Sequence, residues 1–343
     1  MGPRISLSGI FRMMASRTVG SEQFGPERFV CRRSSGRLCC NCHNKQTRCR
    51  EDLKDSTEFD ELYSGECDTS WVVNKRLDVA YGPHERNCYD VYYPDGKAPE
   101  EGWPLIVFFH GGAFMKGDKR RYQMRPALVG VRRGYAVASV QYRLVTTDPL
   151  PAAFADARNA LRHVAAHADE LGIDARRIVL WGESVGAELA CFAGLVDACE
   201  FVDDPEASPM PPVRGVVDWY APLDLLAWRR QLTAEGQFVL PDGRSALEQL
   251  LAASGEDFIA KAALLDPNNY LHAGICPVLV EHGMADPLVS PRQSQAFHEN
   301  LLAFLPEEDM PFRLVEGAVH GVASFENDDN LDWVFAFVDR VCA

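Results

Sequence analysis

The stretch IVLWGESVGAELA, residues 178–190, decides how the rest of the chain is read. It opens with a short apolar run of strand character, Ile178-Val179-Leu180-Trp181. It closes in an Ala/Leu-rich run of helical character that reaches about residue 196. Between them stands Gly182-Glu183-Ser184-Val185-Gly186, the pattern G-x-S-x-G. A serine that merely caps a helix gives the same pattern with no chemistry attached. On a sharp strand-to-helix turn, however, the glycines permit a tight bend, the hydroxyl is lifted clear of the sheet, and unpaired helix N–H groups favour negative charge beside it. Only the flanking sequence separates the two readings.

Working outward, β-rich pieces at residues 76–80 and 89–93 flank the turn signal Gly82-Pro83, which suits an antiparallel start to a sheet. The runs PLIVFF (104–109) and YAVASV (135–140) are continuously apolar, as strands covered on both faces require, with a helical segment at 125–133 between them. Residues 151–171 read as a helix with Pro151 in its first turn and Gly172 beyond its end. Further strands are expected at 213–220, 277–281 and 312–316, and helices at 297–304 and 331–341. This alternation predicts an α/β fold with a mainly parallel, doubly wound sheet. Residues 222–270 break the rhythm with helical pieces at 223–231 and 245–253 around Pro241-Asp242-Gly243. An insertion there lies over the carboxyl ends of the strands, which makes it a candidate lid.

A nucleophilic serine needs a base, and the base needs an orienting carboxylate. Asp286 follows an apolar strand in EHGMADPL, and His320 follows the last strand in EGAVHG. Both sit where strand carboxyl ends converge, in the chain order Ser, acid, His. His163 and His167 fall inside a helix, His298 on a surface helix, His272 in a connection and His43 in the basic N-terminal stretch. His282, at a strand end, reads as a structural hydrogen-bonding residue. Asp218 and Asp224 are the reserve for the acid. Directly after PLIVFF, His110-Gly111-Gly112-Ala113-Phe114 offers Gly111 and Gly112, which with Val185 would direct backbone N–H groups at an oxyanion.

With these residues in hand, residues 72–341 resemble an α/β-hydrolase of the hormone-sensitive-lipase-like esterase group, and within it bacterial feruloyl-esterase-like carboxylesterases. The carrying segments are HGGAF, GESVG and the Asp286 and His320 loops, with Tyr142-Arg143-Leu144, Asp156, Gly172-Ile173-Asp174 and Asp218-Trp219-Tyr220 as further matches. The resemblance implies a serine esterase for short-chain or aromatic acyl esters that acts through an acyl-enzyme, with no metal and no cofactor. Phe114, Trp219, Tyr220, Trp228 and Phe325 are the candidates for an aromatic substrate pocket. An aryl formamidase is the alternative enzyme, and a hydrolase-fold binding protein without catalysis the alternative class. One departure stands out. Relatives continue the elbow as Ser-Ala-Gly-Gly-His, whereas here Glu188 follows Ser184-Val185-Gly186-Ala187, and it is expected to turn aside and pair with a cation.

Composition sets the outer bounds. A net charge of -14 argues against nucleic acid as a partner, and no apolar run approaches the roughly 18 residues of a membrane span. The charge is uneven, since residues 1–50 hold ten Lys/Arg against Glu22 and Glu27. They also hold Cys31, Cys39, Cys40, Cys42 and Cys49. A zinc site from Cys39, Cys42 and His43 or Cys49 lacks the second paired half-site that such centres usually show. Residues 1–70 are therefore read as a basic, Cys-rich and poorly ordered extension, and 71–343 as the hydrolase domain. An Arg- and Ser-rich, acid-poor beginning also has the composition of an organelle transit peptide. The other cysteines lie scattered in apolar runs, as buried thiols in a reducing, cytoplasmic setting do. The oligomeric state is open.

Overall fold

In the computed structural model, eight strands form one sheet in the order β1-β2-β4-β3-β5-β6-β7-β8. The structure describes residues 65–235 and 245–343. The cysteine cluster at 31–49 and the turn at 241–243 lie outside the described residues. β1 (Lys75–Ala80) and β2 (Cys88–Tyr92) are antiparallel to each other, and β2 is antiparallel to β4 (Ala136–Val140). β3 (Trp103–Phe109), β4, β5 (Ile173–Glu183), β6 (Gly215–Trp219), β7 (Val278–Gly283) and β8 (Phe312–Val315) are parallel. The central strands are buried along almost their whole length, as their unbroken apolar runs require.

Helices cover both faces. α1 (Ala152–Ala166), α2 (Val185–Leu195) and α6 (Arg292–Leu301) connect the strands, and α7 (Asp328–Cys342) closes the chain. α7 buries Leu331, Val334, Phe335, Phe337 and Val338 in the same core as Ile106, Trp181, Val217 and Leu279. Its amphipathic spacing is the reason it forms there. Glu66–Ala343 make one compact unit, in which Cys67 N donates to Arg120 O and Val72 is buried.

The element boundaries correct the sequence reading in three places. The helix read over 151–171 ends at Ala166, and Ala168–Leu171 forms a separate turn after His167. The segment expected as a helix at 125–133 is a single α turn, Arg125–Leu128, followed by a 3₁₀ turn, Val129–Arg133, and preceded by another, Tyr122–Met124. β5 begins at Ile173, because Ile173 pairs with Trp103 ahead of a register irregularity. In the 222–270 segment, α3 (Leu225–Ala234) is capped by Asp224, which accepts from Ala227 N, and α4 (Ala246–Leu250) is capped by Ser245. α5 (Gly255–Leu265) is an element the sequence reading did not separate.

The register explains the position of the site. Phe109 pairs with Gly182, Glu183 with Trp219, Trp219 with Glu281, and Gly283 with Val315. The chain leaves β3, β5, β6, β7 and β8 at one edge, so the HGG loop, Ser184, Tyr220, Asp286 and His320 meet there.

Candidate active site

The turn after β5 is forced by close backbone approach. A Cβ on Gly182 would stand 2.2 Å from Gly186 O, and one on Gly186 would stand 2.1 Å from Phe109 O. Only glycine lets the helix come so near the strands. Ser184 is left at φ 54 and ψ -130, a conformation that side-chain-bearing residues avoid unless their surroundings enforce it. Its N–H is held by Trp219 O at 2.9 Å.

From this turn Ser184 Oγ lies 2.9 Å from His320 Nε2, and His320 Nδ1 lies 2.6 Å from Asp286 Oδ2. Asp286 Oδ1 accepts from the N–H groups of Leu288 (2.8 Å) and Val289 (2.9 Å). Burial alone would raise the Asp286 carboxyl. The charge of His320 and the hydrogen bonds from His282 and His320 outweigh it and hold the group well below the usual carboxylate range. Burial opposes the charged form of His320, but the Asp286 charge and bond, with Glu183 behind them, raise it above its ordinary 6.5. The ring of Tyr220 stands edge-on to His320, with centroids 4.8 Å apart.

The reserve acids lie elsewhere. Asp218 Oδ1 accepts from Ala221 N and Asp224 caps α3, while the oxygen on His320 belongs to Asp286. His282 makes the structural hydrogen bonds expected of it, to Ser294 Oγ (2.7 Å) and near Val289 O (3.0 Å), and one that was not expected, to Asp286 (3.1 Å).

The HGG loop requires a correction. The N–H of Gly111 donates to Glu183 Oε1 at 2.6 Å, so this group is committed inside the protein and does not face a ligand. Gln123 Nε2 donates to the same oxygen at 2.7 Å. The fully buried Glu183 thus fastens the loop to the elbow, and burial pushes its carboxyl up. Among the described residues the N–H groups of Gly112 and Ala113 have no acceptor, and Val185, first in α2, has none within its helix. Gly112, Ala113 and Phe114 hold φ of 118, 54 and 59, in a turn closed by Met115 N and Lys116 N on Gly112 O.

The aromatic candidates are also corrected. None of Phe114, Trp219, Tyr220, Trp228 and Phe325 is more than 3% exposed, so all five pack in the core. Phe114 packs on Phe154, Trp219 on Trp181, and Phe325 between Trp219 and Tyr220. Trp228 Nε1 donates to Leu288 O at 2.9 Å. Exposed apolar side chains close in sequence to the HGG loop, Asp286 and His320 are Met115, Met284 and Val319. Single exposed apolar residues carry no signal in a sequence, so only the structure picks these out.

Glu188 does not pair with a cation. It is fully buried, and neither carboxyl oxygen has a hydrogen-bond partner among the described residues. Burial, reinforced by Asp266, Asp218 and Asp224, pushes it well above its ordinary value and favours the neutral acid. Among the described residues no group of three or more His, Cys, Asp or Glu is arranged to hold a metal ion.

A mainly parallel sheet with a serine on the turn after its central strand is the architecture of the α/β-hydrolases. The chain belongs to the BD-FAE family, whose model matches residues 89–301. It is similar to Esterase LipI of Mycobacterium tuberculosis, 34% identical over 35% of this chain and 36% of that one. Esterase LipQ of the same organism is 26% identical over 64% of this chain and 51% of its own length. The chain thus spans between a third and a half of the length of these curated relatives. Among solved structures, a truncated carbohydrate esterase from gut microbiota superposes with a TM-score of 0.66 at 20% identity, covering 81% of this chain and 99% of that one. Esterase Est2 of Thermogutta terrifontis, with propionate bound, gives 0.61 at 22% identity, covering 80% and 96%. At these identities the structures establish the fold.

Proposed function

We propose that the protein is a serine hydrolase that cleaves carboxylic esters of short-chain or aromatic acids through an acyl-enzyme. The observation that carries this reading is the unbroken line Ser184 Oγ, His320 Nε2, His320 Nδ1, Asp286 Oδ2, with spacings of 2.9 and 2.6 Å. His320 takes the proton of Ser184 as Oγ attacks the ester carbonyl, and Asp286 holds the imidazole tautomer and balances its charge. The N–H groups of Gly112, Ala113 and Val185 stabilise the oxyanion, the alcohol leaves with the proton from His320, and water attacks the acyl-enzyme by the same route. The relatives and structural neighbours named above, all esterases, support the reaction class.

Met115, Met284 and Val319 form the apolar rim for the acyl group in this reading. The 222–270 segment acts as a lid, supported by its ties to the loop after Asp286. Trp228 donates there, and Gln231 accepts from Ser290 N at 2.9 Å. The proposed location is cytoplasmic. The described cysteines are all free thiols, and no described helix is long and apolar enough to cross a membrane.

The test is hydrolysis of p-nitrophenyl esters from acetate to decanoate, beside methyl ferulate and N-formylkynurenine, by wild type and Ser184→Ala. Ester turnover lost in the variant is the expected result. Turnover of the formyl amide alone would replace the ester reading with a formamidase. Inertness of folded wild type, together with no labelling by a fluorophosphonate, would overturn both.

A further inference from the structure

His282 is fully buried at the end of β7, four residues before Asp286. Its Nε2 lies 3.1 Å from Asp286 Oδ2 and 3.0 Å from Val289 O. A carboxylate and a carbonyl can only accept, so Nε2 carries a proton and donates between them. Its Nδ1 lies 2.7 Å from the hydroxyl of Ser294 in α6, a group able to complement that tautomer. The ring is therefore locked on both sides. The consequence falls on one atom. Asp286 Oδ1 is occupied by two backbone N–H groups, and Oδ2 is shared by two imidazoles, His320 at 2.6 Å and His282 at 3.1 Å.

We propose that His282 is a positioning residue for the reaction, sharing Oδ2 of Asp286 with His320 and holding that oxygen in line with His320 Nδ1. The inference rests on the serine-hydrolase reading above. A hydrogen-bond donor on a carboxylate spreads its charge and weakens its hold on a second donor. With His282 in place, His320 is bound less tightly in its protonated form than Asp286 alone would bind it. The base is then free at lower pH. Among the described residues, the other polar and charged groups on His320 are Glu183, the Tyr220 ring and Ser184. Asp286 faces His282 and His320 across its own loop.

Two variants separate this role from ordinary packing. His282→Phe combined with Ser294→Ala keeps the ring volume, removes the donor and leaves no hydroxyl orphaned. His282→Gln keeps an N–H near the same place. Both are read by the pH profile of kcat/KM on p-nitrophenyl butyrate and by NMR titration of the His320 imidazole. Loss of the donor should move the acid limb and the His320 titration upward by about one pH unit, with kcat down about tenfold below pH 7 and KM within about twofold. His282→Gln should restore most of the wild-type profile. An unmoved or lowered His320 titration in the folded Phe/Ala variant would overturn the proposal. If wild type is inert toward esters, the esterase reading fails by itself, and the NMR titration still decides whether His282 acts on the Asp286–His320 pair. Should the Phe/Ala variant not fold, His282→Gln and His282→Asn decide it: equal titrations despite the shorter Asn reach would overturn the proposal.

Discussion

Ser184 sits on its turn in a strained backbone conformation, and its neighbours hold it there. Trp219 O fixes its N–H, His320 takes its hydroxyl, and the glycines on either side admit the helix. Replacing Ser184 by Ala should leave the fold intact and lower kcat by roughly 10⁴-fold or more, checked by steady-state kinetics beside circular dichroism. His320 must be neutral to accept the proton, and its folded value lies above 6.5. Activity should therefore rise with pH through a limb above 6.5 and be lost below it. A kcat/KM profile with its acid limb well under 6.5 would contradict this. Legibility at this scale was uneven. The types and order of Ser184, Asp286 and His320 stood in the sequence, and the structure brings the three together. Nothing in the sequence could say that Gly111 gives its N–H to Glu183. The hint was Glu183 itself, a carboxylate lodged in an apolar strand-to-helix turn, where a charge needs a partner.

At the scale of elements, β5, the turn and α2 act as one piece. Gly186→Ala would drive a Cβ into Phe109 O at 2.1 Å, with backbone on both sides and no flexible side chain to give way. We expect a loss of about 3 kcal/mol or more by denaturant unfolding, far beyond the cost of alanine in an ordinary helix start. The inserted segment is pinned more lightly. Trp228→Phe removes the bond to Leu288 O while keeping most of the ring, and should cost about 1 kcal/mol of stability. A lid role predicts that kcat/KM for the longer p-nitrophenyl esters changes more than that for the acetate. Here sequence patterning read the long apolar strands well and the irregular pieces poorly. Residues 122–133 are short turns because no amphipathic period runs through them, and α5 was hidden in the insertion, whose place is set by packing.

Among the described residues, several carboxyls are buried so deeply that burial governs them: Asp218 and Glu188 have no ion pair, and Glu281 has only Arg313 Nη1, at 4.0 Å. Asp218 and Glu281 are each pushed up to about 7, Asp218 mainly by burial and Glu281 by burial against the bond from Asn330, while Glu188 lies well above its ordinary value. The folded protein keeps these protons at a pH where the unfolded chain has released them. Their contribution to stability is thus fully present below about pH 4 and is lost as the pH rises through about 7. Asp286 has the opposite sign, and its contribution is lost as the pH falls. Between about pH 6 and 7.5 the first effect governs, so Tm should fall with rising pH there. Asp218→Asn should flatten that slope, measured by calorimetry. An unchanged slope would show that Asp218 does not hold its proton in the folded state.

The sequence by itself determined the fold class and the chemical types at the carboxyl edge of the sheet. Apolar runs, turn glycines and helical spacing are local properties, and a parallel sheet admits few ways to join them. Tertiary structure alone decided which N–H groups stay free beside Ser184, that the five aromatics belong to the core, and that Glu188 is buried without a cation. It also decided that two histidines meet on Asp286. Each of these depends on the direction of one side chain or one N–H group. That direction is fixed by neighbours from distant parts of the chain, which no local pattern records.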